Sequence, residues 1–178
     1  LNLTINESYH SHHGAVSESE LIFIKYGLIP FLELRQQDLV ILEFGFGTGL
    51  NALLTLRYAN SVQIRYETLE LFPLPWRMVQ QLDFIRHTGL QALDASFKKM
   101  HCCEWEKPIA ILPTFTLYKR QLDFQKFRAT PQSIDLIFFD AFSPDKQPEL
   151  WTEEVLKEAY LSLKPGGIFV TYSSKGIV

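Results

Sequence analysis

Two stretches of the chain carry the residue types that could do chemistry, at the spacings where a fold would use them. The first is Glu43-Phe44-Gly45-Phe46-Gly47-Thr48-Gly49, which ends an apolar run and opens a helical one. Alternating glycines let the backbone turn sharply and let a ligand reach contact distance. The spacing lacks the third glycine of the dinucleotide fingerprint, because Leu50 stands there, and it lacks the Gly-Lys-Ser/Thr of a phosphate-binding loop. Glu43 before the turn suits S-adenosyl-L-methionine better, since a carboxylate there steers a cationic methionine end. A ribose with two free hydroxyls then needs an acceptor pair at the end of the next strand. Glu70 is in place for that, and Glu67 is a weaker candidate. The plainer alternative is a tight strand-to-helix turn beside a solvated glutamate.

The second stretch is Asp140-Ala141-Phe142-Ser143-Pro144, at the end of the most apolar strand. A carboxylate at the carboxyl end of a central strand lies beside a cofactor bound at the first turn. An aliphatic ammonium must lose a proton before its nitrogen can attack a methyl carbon, and an aspartate can accept it or hold the amine in line. Phe142 offers a flat face to a base. Tyr172, after the last strand, faces the same cleft as a hydrogen-bonding group or a rim aromatic. Lys98, Lys99, Lys119, Arg120, Lys126, Arg128, Lys146 and Lys175 are candidates for phosphate contacts, or simply solvated charge. Histidines 10, 12, 13 and 101 carry less signal. His101-Cys102-Cys103 has no second ligand cluster at zinc spacing, so no metal is expected and the two thiols are read as partly buried.

These residues need a scaffold of alternating strands and helices. Strands are expected over residues 39–44, 62–69, 111–118, 134–139 and 168–172. Helices are expected over 50–59, 76–87 and 148–163, the last with Glu149, Glu153 and Glu154 at its dipole-favoured start. A turn is expected at Pro165-Gly166-Gly167, and a helix followed by a loop over 90–108. Ser17-Glu18-Ser19-Glu20 reads as the capped start of a helix reaching Leu34. Such alternation implies an α/β fold: a mostly parallel sheet with helices on both faces. Residues 1–38 form an N-terminal extension and 39–178 the core of one domain.

The 178 residues suit one domain, and 47% hydrophobic residues suffice for a real core. Seventeen Lys+Arg against 20 Asp+Glu give a net charge of −3, which excludes a blanket basic nucleic-acid coat but not a local patch. No run approaches a membrane span. Two adjacent cysteines do not make a disulfide scaffold, so a reducing, cytoplasmic setting is expected.

A wider set of blocks is distinctive in combination. They are His10-Ser11, Gly14-Ala15 and Glu18-Ser19; the run from Ile41 through the glycine turn to Asn51; Glu70-Leu-Phe-Pro-Leu74; the run Phe139-Asp-Ala-Phe-Ser-Pro-Asp-Lys-Gln-Pro-Glu-Leu-Trp151; and Pro165-Gly-Gly with Thr171-Tyr-Ser-Ser-Lys-Gly176. Together they closely resemble the MnmC-like (MnmD) tRNA 5-methylaminomethyl-2-thiouridine methyltransferases, over nearly the whole chain. The resemblance implies a class I, Rossmann-like fold dependent on S-adenosyl-L-methionine. It implies methyl transfer to the exocyclic amine of 5-aminomethyl-2-thiouridine at the tRNA wobble position. It implies that Glu43, Gly45, Phe46, Gly47, Thr48, Gly49 and Asn51 line the cofactor, that Glu70 meets its ribose, and that Asp140 meets the reacting amine. Phe142, Pro144, Tyr172 and Lys175 fall on the substrate side.

Two departures from the family pattern stand out. Members carry a Gly-Asp pair after the third strand whose acid contacts adenine; here Tyr118-Lys-Arg-Gln-Leu-Asp123 stands in its place, leaving Gln121, Asp123 or the backbone for that contact. The family also continues beyond the position of Val178, so a missing C-terminal sheet edge is expected. The stand-alone form implies a separate flavin-dependent oxidase as partner. The competing functions are a small-molecule amine methyltransferase and a cofactor-binding module without catalysis.

Overall fold

The computed structural model describes residues 12–34, 38–60 and 62–173; His10 and Lys175 lie outside them. Six strands form one sheet in the order β3-β4-β2-β1-β5-β6. These are β1 (Leu39–Phe44), β2 (Ile64–Leu69), β3 (Pro108–Leu112), β4 (Phe115–Arg120), β5 (Ile134–Phe139) and β6 (Leu163–Thr171). All neighbours are parallel except β3, which pairs antiparallel with β4. The expected mostly parallel sheet is present. Because β1 pairs with β2 on one side and β5 on the other, the chain direction of the crossovers reverses there, and the carboxyl end of β1 is the place where open α/β sheets bind ligands.

Strand alternation sorts the core into two layers. Ile41, Leu136 and Phe138 pack on one face with α3 (Leu50–Leu56), the helices between β2 and β3, and the front helical segment. Leu42, Phe44, Ile137 and Phe139 pack on the other with Trp151 and α7 (Glu153–Ser162). Phe44, Phe124, Phe127 and Phe139 meet ring to ring at 4.9–6.3 Å on that second face. Both faces being covered explains why β5 is buried at every position, including Asp135. Asp135 survives there because its Oδ2 accepts the Val40 amide (2.9 Å) and the Lys164 ammonium (2.8 Å), so the buried charge is bonded and paired. It fastens β1, β5 and β6 at the end of the sheet opposite the glycine turn.

Several expected elements differ in form. The front helix starts at His12 rather than at a Ser17 cap: α1 (His12–Ser19) runs into a π-helical segment (Glu20–Leu28) and then α2 (Ile29–Leu34). Gly27 of the π-helical segment lies so close to Val170 and Phe138 that a Cβ would come within 3.0 Å of Val170. The single helix expected over 76–87 is broken into α4 (Trp76–Val79), a 3-10 turn and α5 (Phe84–Thr88), because Asp83 sits at φ 49°. The strand expected over 111–118 is a hairpin: Pro113 cannot donate to a ladder, and it lies in the turn between β3 and β4. The helix expected from Pro148 begins only at Glu153, where the Thr152 hydroxyl caps it, after a 3-10 turn over Pro148–Leu150. Pro165-Gly166-Gly167 is not a turn before a strand but an irregularity inside β6, across which the register with β5 jumps. The 90–108 region holds α6 (Asp94–Cys102) and a loop, as expected.

Candidate active site

The glycine turn leaves β1 with Gly45, Gly47 and Gly49 all at positive φ (98°, 49° and 72°), a backbone that side chains with a Cβ rarely adopt. Much of the turn's own hydrogen-bonding capacity holds it in shape. The Gly45 and Phe46 amides donate to the Leu69 carbonyl, and the Gly49 amide donates to the Phe46 carbonyl. The Gly47 amide donates to Glu70 Oε2 at 2.9 Å, while Glu70 Oε1 accepts the Phe72 amide at 2.8 Å. Each Glu70 oxygen thus uses one lone pair on the scaffold and keeps another for a hydroxyl pair. Gln121 joins the same rim, its Nε2 donating to the Leu71 carbonyl at 3.3 Å.

Asp140 follows β5, whose parallel pairing with β1 carries it to the same end of the sheet. The two segments touch through backbone: a Cβ on Gly45 would stand 2.8 Å from the Asp140 carbonyl oxygen. On the first turn of α3, Asn51 donates from Nδ2 to Glu43 Oε1 (3.2 Å) and to Asp140 Oδ2 (2.9 Å). Thr68, paired with Glu43 across β1 and β2, donates its hydroxyl to Glu43 Oε2 at 2.8 Å.

Glu43 is almost fully buried. Burial holds its carboxyl well above the usual carboxylate range, and the Asp140 charge pushes the same way. Hydrogen bonds from Thr68 and Asn51 pull against both. The Tyr66 hydroxyl also faces this carboxyl, without a well-formed hydrogen bond of its own, and burial and the Glu43 charge raise its pKa as well.

Asn51 Oδ1 is buried and has no protein partner. An unpaired acceptor beside two carboxyl groups suits a cationic ligand, and the paired acceptor oxygens of Glu70 suit a ribose. The residues present therefore fit an adenosylmethionine-type group.

The remaining candidates divide. Tyr172 reaches the cleft and donates its hydroxyl to the Ala141 carbonyl at 2.8 Å, next to Asp140. Phe142, half-buried with Pro144, offers its carbonyl to Trp151 Nε1 at 2.7 Å. Asp123 caps the short 3-10 turn at Phe124–Lys126 by accepting the Gln125 amide. Glu67 is not part of the site; it is buried in ion pairs with Arg120 (3.0 Å) and Arg65 (3.4 Å). Lys119 cannot meet a phosphate, being 1% exposed, and Arg120 is held by Glu67. Phe46 and Thr48 belong to the turn but are buried, with the Phe46 ring turned toward His101 and Trp105. His101 faces the turn rather than the thiols, Cys102 is exposed and Cys103 half-buried, and the described residues hold no cluster of three potential metal ligands.

Thr68 and Tyr66 escaped the sequence reading, whereas His101 entered it only as a weak histidine and Trp151 only as the end of a distinctive block.

The comparisons agree with this geometry. Residues 120–178 match a family model described as an S-adenosyl-L-methionine-dependent methyltransferase. The tRNA 5-methylaminomethyl-2-thiouridine biosynthesis bifunctional protein MnmC of Paraburkholderia phymatum is 26% identical over 97% of this chain and 28% of its own length. The protein of the same name from a Marinomonas species is 27% identical over 97% of this chain and 27% of its own length. The chain thus spans little more than a quarter of these curated relatives. The crystal structure of MNMC2 from Aquifex aeolicus superposes with a TM-score of 0.68 at 27% identity, covering 96% of this chain and 55% of that one. The chain is similar over nearly its whole length to the methyltransferase part of MnmC proteins, and it has the class I fold of S-adenosyl-L-methionine-dependent methyltransferases.

Proposed function

We propose that the protein methylates the exocyclic amine of 5-aminomethyl-2-thiouridine at the wobble position of tRNA. One observation carries the reading: Asp140, its carboxylate anchored by Asn51, lies with its backbone directly against a glycine turn whose surroundings suit a cationic cofactor. The names of the relatives supply the substrate, and the acid supplies the chemistry. Adenosylmethionine brings a methyl carbon already activated by its sulfonium. Glu70 and the glycine turn hold the ribose side, and Asn51 Oδ1 faces the cationic end.

Asp140 then has two tasks. An aliphatic amine is protonated at neutral pH, so its nitrogen has no lone pair to give. Asp140 takes that proton and keeps the freed nitrogen in line with the methyl carbon. A bound adenosylmethionine would then supply the methyl carbon to that lone pair, with the C–S bonding pair returning to sulfur. Asn51 fixes the side chain of Asp140, so the acceptor is oriented before the amine arrives. Phe142 and Pro144 form the wall beyond Asp140 on which the thiouridine ring rests, with Tyr172 holding the Ala141 carbonyl between them. Gln121 and Asp123 extend the site on its adenine side, and Lys175, outside the described residues, is assigned to the substrate by the resemblance alone.

We read the amine as the product of other enzymes, a separate flavin-dependent oxidase among them, and the setting as the cytoplasm; among the described residues no helix is long and apolar enough to cross a membrane. The deciding experiment uses Asp140→Asn with tRNA from cells lacking the modification. S-adenosylhomocysteine binding by calorimetry should stay near that of the parent, while methylated wobble nucleoside, read by mass spectrometry, should vanish. Undiminished methylation by the variant rejects the assigned role. Methylation of small aliphatic amines but not of tRNA rejects the substrate.

A further inference from the structure

The glycine turn rests on a support from a distant part of the chain. His101, in the last turn of α6, places Nε2 3.1 Å from the Thr48 carbonyl oxygen. A carbonyl only accepts, so Nε2 carries the hydrogen and donates. Gly49 lies against the same ring: a Cβ there would sit 2.7 Å from His101 Nε2. The Thr48 carbonyl and the Gly49 amide belong to one planar peptide unit. His101 takes its oxygen end and the Phe46 carbonyl takes its N–H end at 2.7 Å, so that plane cannot rotate without breaking a bond.

The support is itself held. Phe46, Trp76 and Phe97 surround the imidazole with ring centroids 5.0–5.6 Å away. The buried Lys119 of β4 donates to the His101 carbonyl at 3.1 Å, while its ammonium lies 4.7 Å from the centre of the Trp105 ring. Sheet, helix and turn are therefore linked in series through Lys119, His101 and Thr48. Desolvation among these rings, reinforced by the Lys119 charge, lowers the His101 pKa to about 4, so the imidazole is neutral at physiological pH.

We propose that His101 is a positioning residue for the cofactor: by holding the Thr48–Gly49 peptide it sets the shape of the turn on which adenosylmethionine lies. The proposal rests on the reading of that turn as the cofactor site. It assigns work to a histidine that neither metal binding nor proton transfer employs.

Two variants and one spectrum test it. His101→Phe keeps a ring and loses the donor; His101→Gln keeps a donor at similar reach. By calorimetry, His101→Phe should weaken S-adenosylhomocysteine binding by roughly tenfold or more, the cost of leaving a buried carbonyl unpaired. His101→Gln should recover most of that loss. In turnover assays the defect should fall on KM for the cofactor and leave kcat largely intact. Should His101→Phe fail to fold, nitrogen-15 spectra of the parent protein still decide: a neutral imidazole with its proton on Nε2, at pH 6 to 8, is expected. An Nδ1-protonated ring, or equal affinity in His101→Phe and the parent, overturns the proposal. A parent protein that does not bind S-adenosylhomocysteine overturns the reading of the turn itself, and the proposal with it.

Discussion

The side-chain nitrogen of Asn51 stands 2.9 Å from the Asp140 carboxylate, joining residues 89 positions apart in the chain. The same nitrogen also serves Glu43, so one amide separates two acids that would otherwise face each other directly. Replacing Asn51 by Leu keeps the volume and removes the bridge. Stability should fall by about 1–3 kcal/mol, as for a lost buried hydrogen bond. Methyl transfer should fall further than cofactor binding, because Asp140 loses its fixed orientation. Urea unfolding beside single-turnover transfer separates the two effects.

Glu43 carries the opposite sign of charge economy from an exposed acid. Its folded carboxyl holds its proton above the ordinary value of 4.5, so between that pH and its raised value the folded state binds more protons than the unfolded one. Stability from this residue is complete below 4.5 and drains away as pH rises. Glu43→Gln should therefore gain on the parent with increasing pH, while Glu43→Ala, which abandons the Thr68 and Asn51 bonds, should lose at every pH. Thermal melts across pH 4 to 8 check both.

His101 tilts the curve the other way. Free imidazole protonates near 6.5 and the folded one near 4, so the unfolded chain binds the extra proton in that window. Stability is intact above 6.5 and declines as pH falls toward 4, by up to about 3 kcal/mol. His101→Gln should flatten that decline, measured by urea midpoints at closely spaced pH values.

Asp135 offers a control remote from the reaction. Asp135→Ala removes two charge-assisted hydrogen bonds from the far end of the sheet, to Val40 and Lys164. A loss of about 2–3 kcal/mol is expected, with S-adenosylhomocysteine affinity unchanged at temperatures where the variant stays folded.

Gly45→Ala should be far more damaging than its size suggests. It combines a φ of 98° with an approach of 2.8 Å to the backbone of Asp140. Neither conflict can be relieved by turning a side chain. Near-complete loss of cofactor binding, in a protein whose circular dichroism remains native, is the expected result.

The sheet was legible because its central strands announce themselves: Leu39–Phe44 and Ile134–Phe139 are short apolar runs that end at a glycine turn and an acid. Order in a parallel sheet follows from such runs and their crossovers. That the glycine turn, Glu70, Asp140 and Asn51 meet at one end of the sheet was legible for the same reason, since topology brings strand ends together. Glu67 was misleading because alternation alone does not tell which acid at a strand end faces solvent and which faces an arginine on the neighbouring strand. The bulge at Pro165–Gly167 was missed because proline and glycine signal a break, and only pairing with β5 tells a break from an irregularity. His101 and Lys119 were opaque for a deeper reason. Their partners lie on other elements, and a lone histidine or lysine has the same composition whether solvated or walled in by tryptophan.

The contact between Gly45 and the carbonyl of Asp140 has a consequence for how such a catalyst can change. On the proposed reading of the site, the span from donor to acid is gauged by main chain against main chain, with only a hydrogen atom as the shim. Drift among the surrounding side chains can therefore reshape which amine is welcomed, while the distance the methyl travels stays the same.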